Sequence, residues 1–220
     1  PITSAVLGLA FTALCVMAYS AVANAPMFSA AVLVLLLLIS PYLAAAAYYV
    51  PLQREHGDEP GAAACVEGIR NRFLDIGLFA IVCALIVAAW TRLTSIAFAL
   101  YYDSFASGPE IARIWMSGQQ SASMLVFLVT ASAVLVSILF AVSAISLPLI
   151  AERNTDVITA MRTSLRTLRT HKLSLALWVV LIFALTGAAF LSRLVLMPLI
   201  FPLLAYATWH SYRQLVHETR

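Results

Sequence analysis

Charge is what this chain has least of. Only 10% of its 220 residues are Asp, Glu, Lys or Arg, and 63% are hydrophobic. Soluble domains run near a quarter charged and half apolar, so a water-filled surround cannot accommodate this composition, and the chain reads as an integral membrane protein. Acidic residues are nearly missing from the apolar runs; Asp75, near the start of the third, comes closest. A proton-coupled carrier keeps an acidic or histidine relay at mid-membrane, which argues against ion coupling but leaves a carrier of lipid or apolar molecules open. The three cysteines, Cys15, Cys65 and Cys83, show no CxxC or metal spacing, and read as small buried residues. There is no Walker loop, GxGxxG, HExxH or GxSxG with a partner set. No catalytic residue, metal ligand or cofactor is therefore expected, and with the basic residues lying between apolar runs, nucleic acid is not an expected partner.

Long apolar runs are what the chain has instead. A helix crossing the bilayer core needs about 20 apolar residues. The candidates are 2–21, 27–50, 73–92, 121–150, 173–191 and 194–209, which makes six spans in one polytopic domain covering residues 1–220. The third stays apolar past Arg92 to Tyr102, so it overshoots the bilayer or bends along its far surface. Asp103–Gln120 is the longest loop on that side, with a turn signal at Ser107-Gly-Pro109. The chain starts at Pro1 rather than Met, from which an upstream segment is expected; Ile2–Ala21 lacks the basic flank of a signal peptide.

The positions of the cations orient these spans. One side holds Arg54, Arg70, Arg72, Arg153, Arg162, Arg166, Arg169, Lys172, Arg213 and Arg220; the other holds Arg92, Arg113 and Arg193. The positive-inside rule then puts both termini in the cytoplasm of a bacterial inner membrane. Trp90 and Trp115 fall near the outer interface, Trp178 and Trp209 near the inner one.

Proline punctuates the even spans: Pro41-Tyr-Leu-Ala44, Pro148-Leu-Ile-Ala151 and Pro202-Leu-Leu-Ala205 recur toward their cytoplasmic ends. Pro41, Pro148 and Pro202 are expected helix kinks. The fold class that follows is all-α, three helical hairpins of one orientation, with amphipathic interfacial helices before the third and fifth spans.

Three segments are candidates for function. In Thr155–Lys172, Val157, Met161, Leu165 and Leu168 share a helical face beside a stripe of Arg162, Arg166 and Arg169. Asn154 or Thr155 can cap its start and Asp156 suits the helix dipole. Such a helix lies in the membrane interface, and with Lys172 its cations meet anionic lipid headgroups or a partner subunit. Preceding the third span, Val66, Ile69 and Phe73 share a face in the same way. The second candidate is the charge pair Arg92 and Asp103, near the outer interface. The third is the cytoplasmic-end cluster Trp209, His210, Tyr212 and Arg213. His210 and His217 are seven residues apart, too far for two ligands of one metal on a helix.

Ile145-Ser-Leu-Pro148-Leu-Ile-Ala-Glu-Arg-Asn-Thr-Asp156-Val-Ile-Thr-Ala and Phe201-Pro-Leu-Leu-Ala-Tyr-Ala-Thr-Trp-His210-Ser-Tyr-Arg213 resemble the signature of a bacterial family of predicted integral membrane proteins, the domain-of-unknown-function family 2189. The resemblance implies a multi-span inner-membrane protein. Some members carry the label of cytochrome c oxidase subunit. A haem–copper core needs several histidines within its spans, and this chain has only His56, His171, His210 and His217, so a catalytic subunit is not implied. Ala151-Glu-Arg departs from the more acidic residues expected after Pro-Leu-Leu.

The leading expectation is an accessory or assembly subunit of a larger respiratory or photosynthetic membrane complex, packed through small-residue faces such as Ala44–Ala47. The alternative is a carrier or channel for a lipid or small apolar molecule.

Overall fold

The computed structural model describes residues 2–24, 26–55, 57, 61–102, 122–153, 155–170 and 172–217. Among them there is helix and turn and no strand. The helices are α1 (Ile2–Asn24), α2 (Pro26–Glu55), α3 (Ala62–Asn71), α4 (Phe73–Tyr102), α5 (Ala122–Ser143), α6 (Ser146–Glu152), α7 (Val157–Thr170), α8 (Lys172–Leu191) and α9 (Met197–His217). Four stretches are long and apolar enough to cross a membrane: Thr3–Ser20, Val34–Glu55, Phe73–Leu100 and Ala122–Glu152, with Ala176–Ala189 a shorter apolar helix.

Packing is concentrated at one end of the molecule. Ala45, Ala47, Tyr48, Ile76, Phe79, Ile145, Leu149, Ile150, Val157, Ala160, Trp209 and Tyr212 form one buried cluster where α2, α4, α6, α7 and α9 meet. Away from it the helices share little surface: in all of α5 the buried residues are Met124, Leu128 and Ala141. Leu93, Ile96, Val126, Val129, Val180 and Phe183 stand exposed. Apolar faces of this extent need lipid to cover them.

The prolines do not act alike. Helix α2 runs without a break through Pro41 and Pro51, and α9 through Pro202. Lacking an N–H, Pro41 cannot bond the Leu37 carbonyl, which instead accepts the Ser40 hydroxyl at 3.4 Å. Pro202 similarly leaves the Pro198 carbonyl free, and α1 approaches there so closely that a Cβ on Gly8 would lie 2.2 Å from that oxygen. Only a residue without a side chain fits. Ser4 Oγ to Tyr206 OH at 2.6 Å and the stacked rings of Phe11 and Phe201, centroids 4.3 Å apart, extend the same antiparallel contact.

At Pro148 the expected kink is a full interruption placed earlier. The fourth apolar run, read as one span over 121–150, breaks at Ala144–Ile145, and Pro148 sits in the first turn of α6, where a missing N–H costs nothing. The hydroxyl of Ser164 on α7 enters the gap. It donates to the Ala141 carbonyl at 2.7 Å and accepts the Ile145 amide at 3.3 Å. In an unbroken helix those two groups would bond each other, so the inserted hydroxyl replaces one rung of the ladder.

Other boundaries move as well. The third apolar run is one uninterrupted helix as far as Tyr102, passing through Arg92. Between α8 and α9 the chain uses Ser192–Leu196 rather than two residues, because Arg193 (φ 53°) and Leu194 (φ 69°) are both left-handed. Leu194 donates its amide to Ala189 at 2.8 Å and Ser192 Oγ accepts the Leu196 amide at 3.3 Å, which secures that conformation.

Candidate functional site

Where α2, α6 and α9 end, their terminal charges meet. Trp209, Tyr212 and Arg213 lie three and four residues apart, hence on one face of α9, and that face turns toward Glu55 and Glu152, the last residues of α2 and α6. Arg213 Nη1 donates to Glu152 Oε1 at 2.6 Å, and Nη2 donates to Glu55 Oε2. Trp209 Nε1 donates to the other oxygen of Glu55 at 2.8 Å, and the Tyr212 hydroxyl to the other oxygen of Glu152. Arg153 Nε stands 3.8 Å from that same Glu152 oxygen. All four carboxylate oxygens therefore have a donor. The guanidinium also lies 5.2 Å from the Trp209 ring centroid, within cation–π range. Burial, and then the bond to Glu152, push the Tyr212 phenol well above its ordinary value, so it stays a neutral donor at physiological pH.

This clasp joins three helix ends through two carboxylates whose oxygens are all engaged within it. Among the described residues no three His, Cys, Asp or Glu gather as metal ligands. It also revises the sequence reading. Trp209 is fully buried in the core rather than in an interfacial belt, because its N–H reaches a carboxylate there. His210, one residue on, is exposed. Glu55 and Glu152 were not singled out from sequence, although Pro51-Leu-Gln-Arg-Glu55 and Pro148-Leu-Ile-Ala-Glu152 repeat the same Pro-Leu-x-x-Glu spacing.

Helix α7 packs its small residues inward. Val157, Ala160, Ser164 and Thr167 are buried, with Met161 and Leu168 half-buried beside them, while Leu165 is 42% exposed. The face named from sequence is thus rotated: polar Ser164 and Thr167 belong inside because the helix break needs a hydroxyl there, and the inward side meets protein rather than lipid. Arg162, Arg166 and Arg169 are exposed, line one surface with Thr159 and Thr163, and make no ion pair with a described residue. Lys172 opens α8; its side chain lies outside the described residues, as does Asn154. Asp156 is the cap, accepting the Thr159 amide at 3.1 Å. Bonds from Thr159 hold its carboxyl below the ordinary value. On α3 the inward residues are Cys65 and, partly, Ile69, with Val66 exposed; Tyr49 OH fixes that side through the Gly68 carbonyl at 3.0 Å.

Along the less packed half runs a groove of about 670 Å³ between α4, α5 and α8, lined by Trp90, Thr94, Phe98, Leu128, Ala133, Val136 and Phe183 among others. Thr91, Thr94 and Ser95 line it too, but donate their hydroxyls to carbonyls of their own helix. The Trp90 Nε1 is buried with no hydrogen-bond partner among the described residues. A second concavity of about 400 Å³ shares Ala133, Val136 and Phe183 and continues to Phe140, Ala176 and Leu168 of α7. Arg92 is exposed on α4. Its proposed partner Asp103 lies outside the described residues, as do Ser107–Pro109, Arg113 and Trp115.

A family model described as "Predicted integral membrane protein (DUF2189)" matches residues 28–152, more than half of the chain. The matched part includes Glu55 and Glu152 and ends before α7, Arg213 and the Phe201–Arg213 motif. No curated protein and no solved structure matches. The groove and two of the three clasped helix ends thus lie largely on matched sequence, and the chain belongs to the DUF2189 family of predicted integral membrane proteins.

Proposed function

We propose that this protein is a six-span inner-membrane carrier or binding protein for a lipid or other small apolar molecule, with both termini cytoplasmic. The observation that carries this reading is the apolar groove between α4, α5 and α8. Pockets for small molecules are mostly apolar with a few placed polar groups, and here the groove borders an indole N–H without a partner among the described residues. The clasp supports the three-hairpin arrangement, since α2, α6 and α9 bring their C-terminal ends, and hence the Arg54, Arg153 and Arg213 side of the chain, to one place. The accessory-subunit reading rests on the nearly uncharged apolar interior together with small-residue faces such as Ala44–Ala47. Ala45, Ala46 and Ala47 are buried within this chain, so that face is not open to a partner, and the carrier reading ranks first.

The test is native mass spectrometry of the protein released from lipid nanodiscs. The expected result is a stoichiometric small-molecule adduct that is lost in Ala133→Trp, whose indole fills the groove from an exposed position. A bare protein mass in wild type and variant alike removes the reading.

A further inference from the structure

We infer that the occupant of the groove is an anionic phospholipid, its acyl chain lying along α5 and its phosphate held by Arg162, Arg166 and Arg169 of α7. This rests on the groove being a binding site, as proposed above. The two concavities share Ala133, Val136 and Phe183, so they adjoin, and together their linings follow α5 from Leu128 to Phe140. Twelve residues of helix rise about 18 Å, the depth of one bilayer leaflet rather than of the whole hydrocarbon core.

The inner end of the track decides the ligand class. Leu168 of α7 closes it. Leu165, three residues earlier and adjacent on the helix surface, belongs to the surface lined by the three arginines. One helix edge thus passes from apolar contact to cationic contact at the level where α7 crosses the end of α5, beside Ala141 and Ile145. A molecule reaching from groove to arginine stripe is apolar along its length and anionic at its head. None of the three guanidiniums is neutralised by a described residue, and arginine recognises phosphate through paired donors. A purely apolar occupant would leave them without a role in binding, and a zwitterionic headgroup would gain less from them.

The test uses nanodiscs of equal parts phosphatidylglycerol and phosphatidylcholine with matched chains, and counts lipids retained on the purified protein by native mass spectrometry. Wild type is expected to retain phosphatidylglycerol over phosphatidylcholine by more than about tenfold, with each arginine contributing up to about fivefold. The triple variant R162Q/R166Q/R169Q is expected to retain similar total lipid with a ratio near one. These arginines are exposed, so the fold is not at stake; helicity and thermal midpoint check that. A ratio unchanged in the triple variant, with lipid still lost in A133W, overturns the headgroup assignment while the groove reading stands. Lipid retained equally by A133W overturns both.

Discussion

Glu55 and Glu152, the last residues of two helices far apart in sequence, are bridged by a single guanidinium, that of Arg213. The pair defines how α2, α6 and α9 converge, and Trp209 and Tyr212 on the same face of α9 hold the remaining carboxylate oxygens. Replacing Arg213 with Gln removes the cation between the two carboxylates and leaves only the more distant Arg153, 3.8 Å from Glu152, beside them. With Glu152 mostly buried and Glu55 about one-third exposed, solvent screening limits the loss, and about 1–3 kcal/mol is expected. Arg213→Lys should recover less than half of it, since one ammonium cannot span both acids as a fork does. The readout is the thermal midpoint in mild detergent; equal midpoints for all three proteins would falsify a stabilising clasp.

Ser164 carries a second, separable prediction. Its hydroxyl is the partner of both the Ala141 carbonyl and the Ile145 amide at the α5–α6 break. In Ser164→Ala both groups lose that partner in a buried setting, which should cost about 1–3 kcal/mol. Hydrogen exchange should quicken at Ile145 and its neighbours and leave α1 unaffected. Thr167, buried on the same face but bonded to Thr163 at 3.0 Å within its own helix, is the control: Thr167→Val should change exchange at Ile145 little.

These two sites mark where the sequence is informative and where it is not. Apolar runs report removal from water, so the membrane class and the positions of the long helices are legible in composition alone. The rotation of a helix about its axis is not, because in a membrane the outward face is as apolar as the inward one. That is why the spacing groups Leu165 with Val157, Met161 and Leu168 on one membrane-facing side without marking Ser164, and why Trp209 reads as part of an interfacial belt. Glu55 and Glu152 were legible in principle: each ends a Pro-Leu-x-x-Glu segment at the close of a helix. What no spacing within the chain conveys is that Arg213, beyond the end of both segments, would return to them.

The close approach of α1 and α9 predicts opposite outcomes for two glycines. At Gly8 a methyl group would lie 2.2 Å from the Pro198 carbonyl oxygen, which is backbone and cannot swing aside. Gly8→Ala should therefore separate the helices and destabilise by about 1–3 kcal/mol. Gly187 in α8 has nothing within 4 Å of the added methyl, and Gly187→Ala should stabilise by about 0.5–1 kcal/mol through helix propensity. Paired unfolding in the same detergent checks both, and a destabilised Gly187→Ala would contradict the packing described for α8.

The start of α7 should respond to acid in a direction fixed by Asp156. Bonds from Thr159 stabilise its ionised carboxyl, so its value in the folded protein lies below that of the unfolded chain. A lowered carboxyl contributes fully above the unfolded value, near about 4, and its contribution fades as pH falls through the folded value beneath that. Protection of the Thr159 and Ala160 amides, corrected for intrinsic exchange, should be level from neutral pH to about 5 and decline below about 4. In Asp156→Asn the side-chain oxygen still caps the helix, so protection should persist with no acid-dependent step. In Asp156→Ala it should be reduced throughout the range. An acid step of equal size in the asparagine variant would assign the response to another group and detach the cap from the pH dependence of α7.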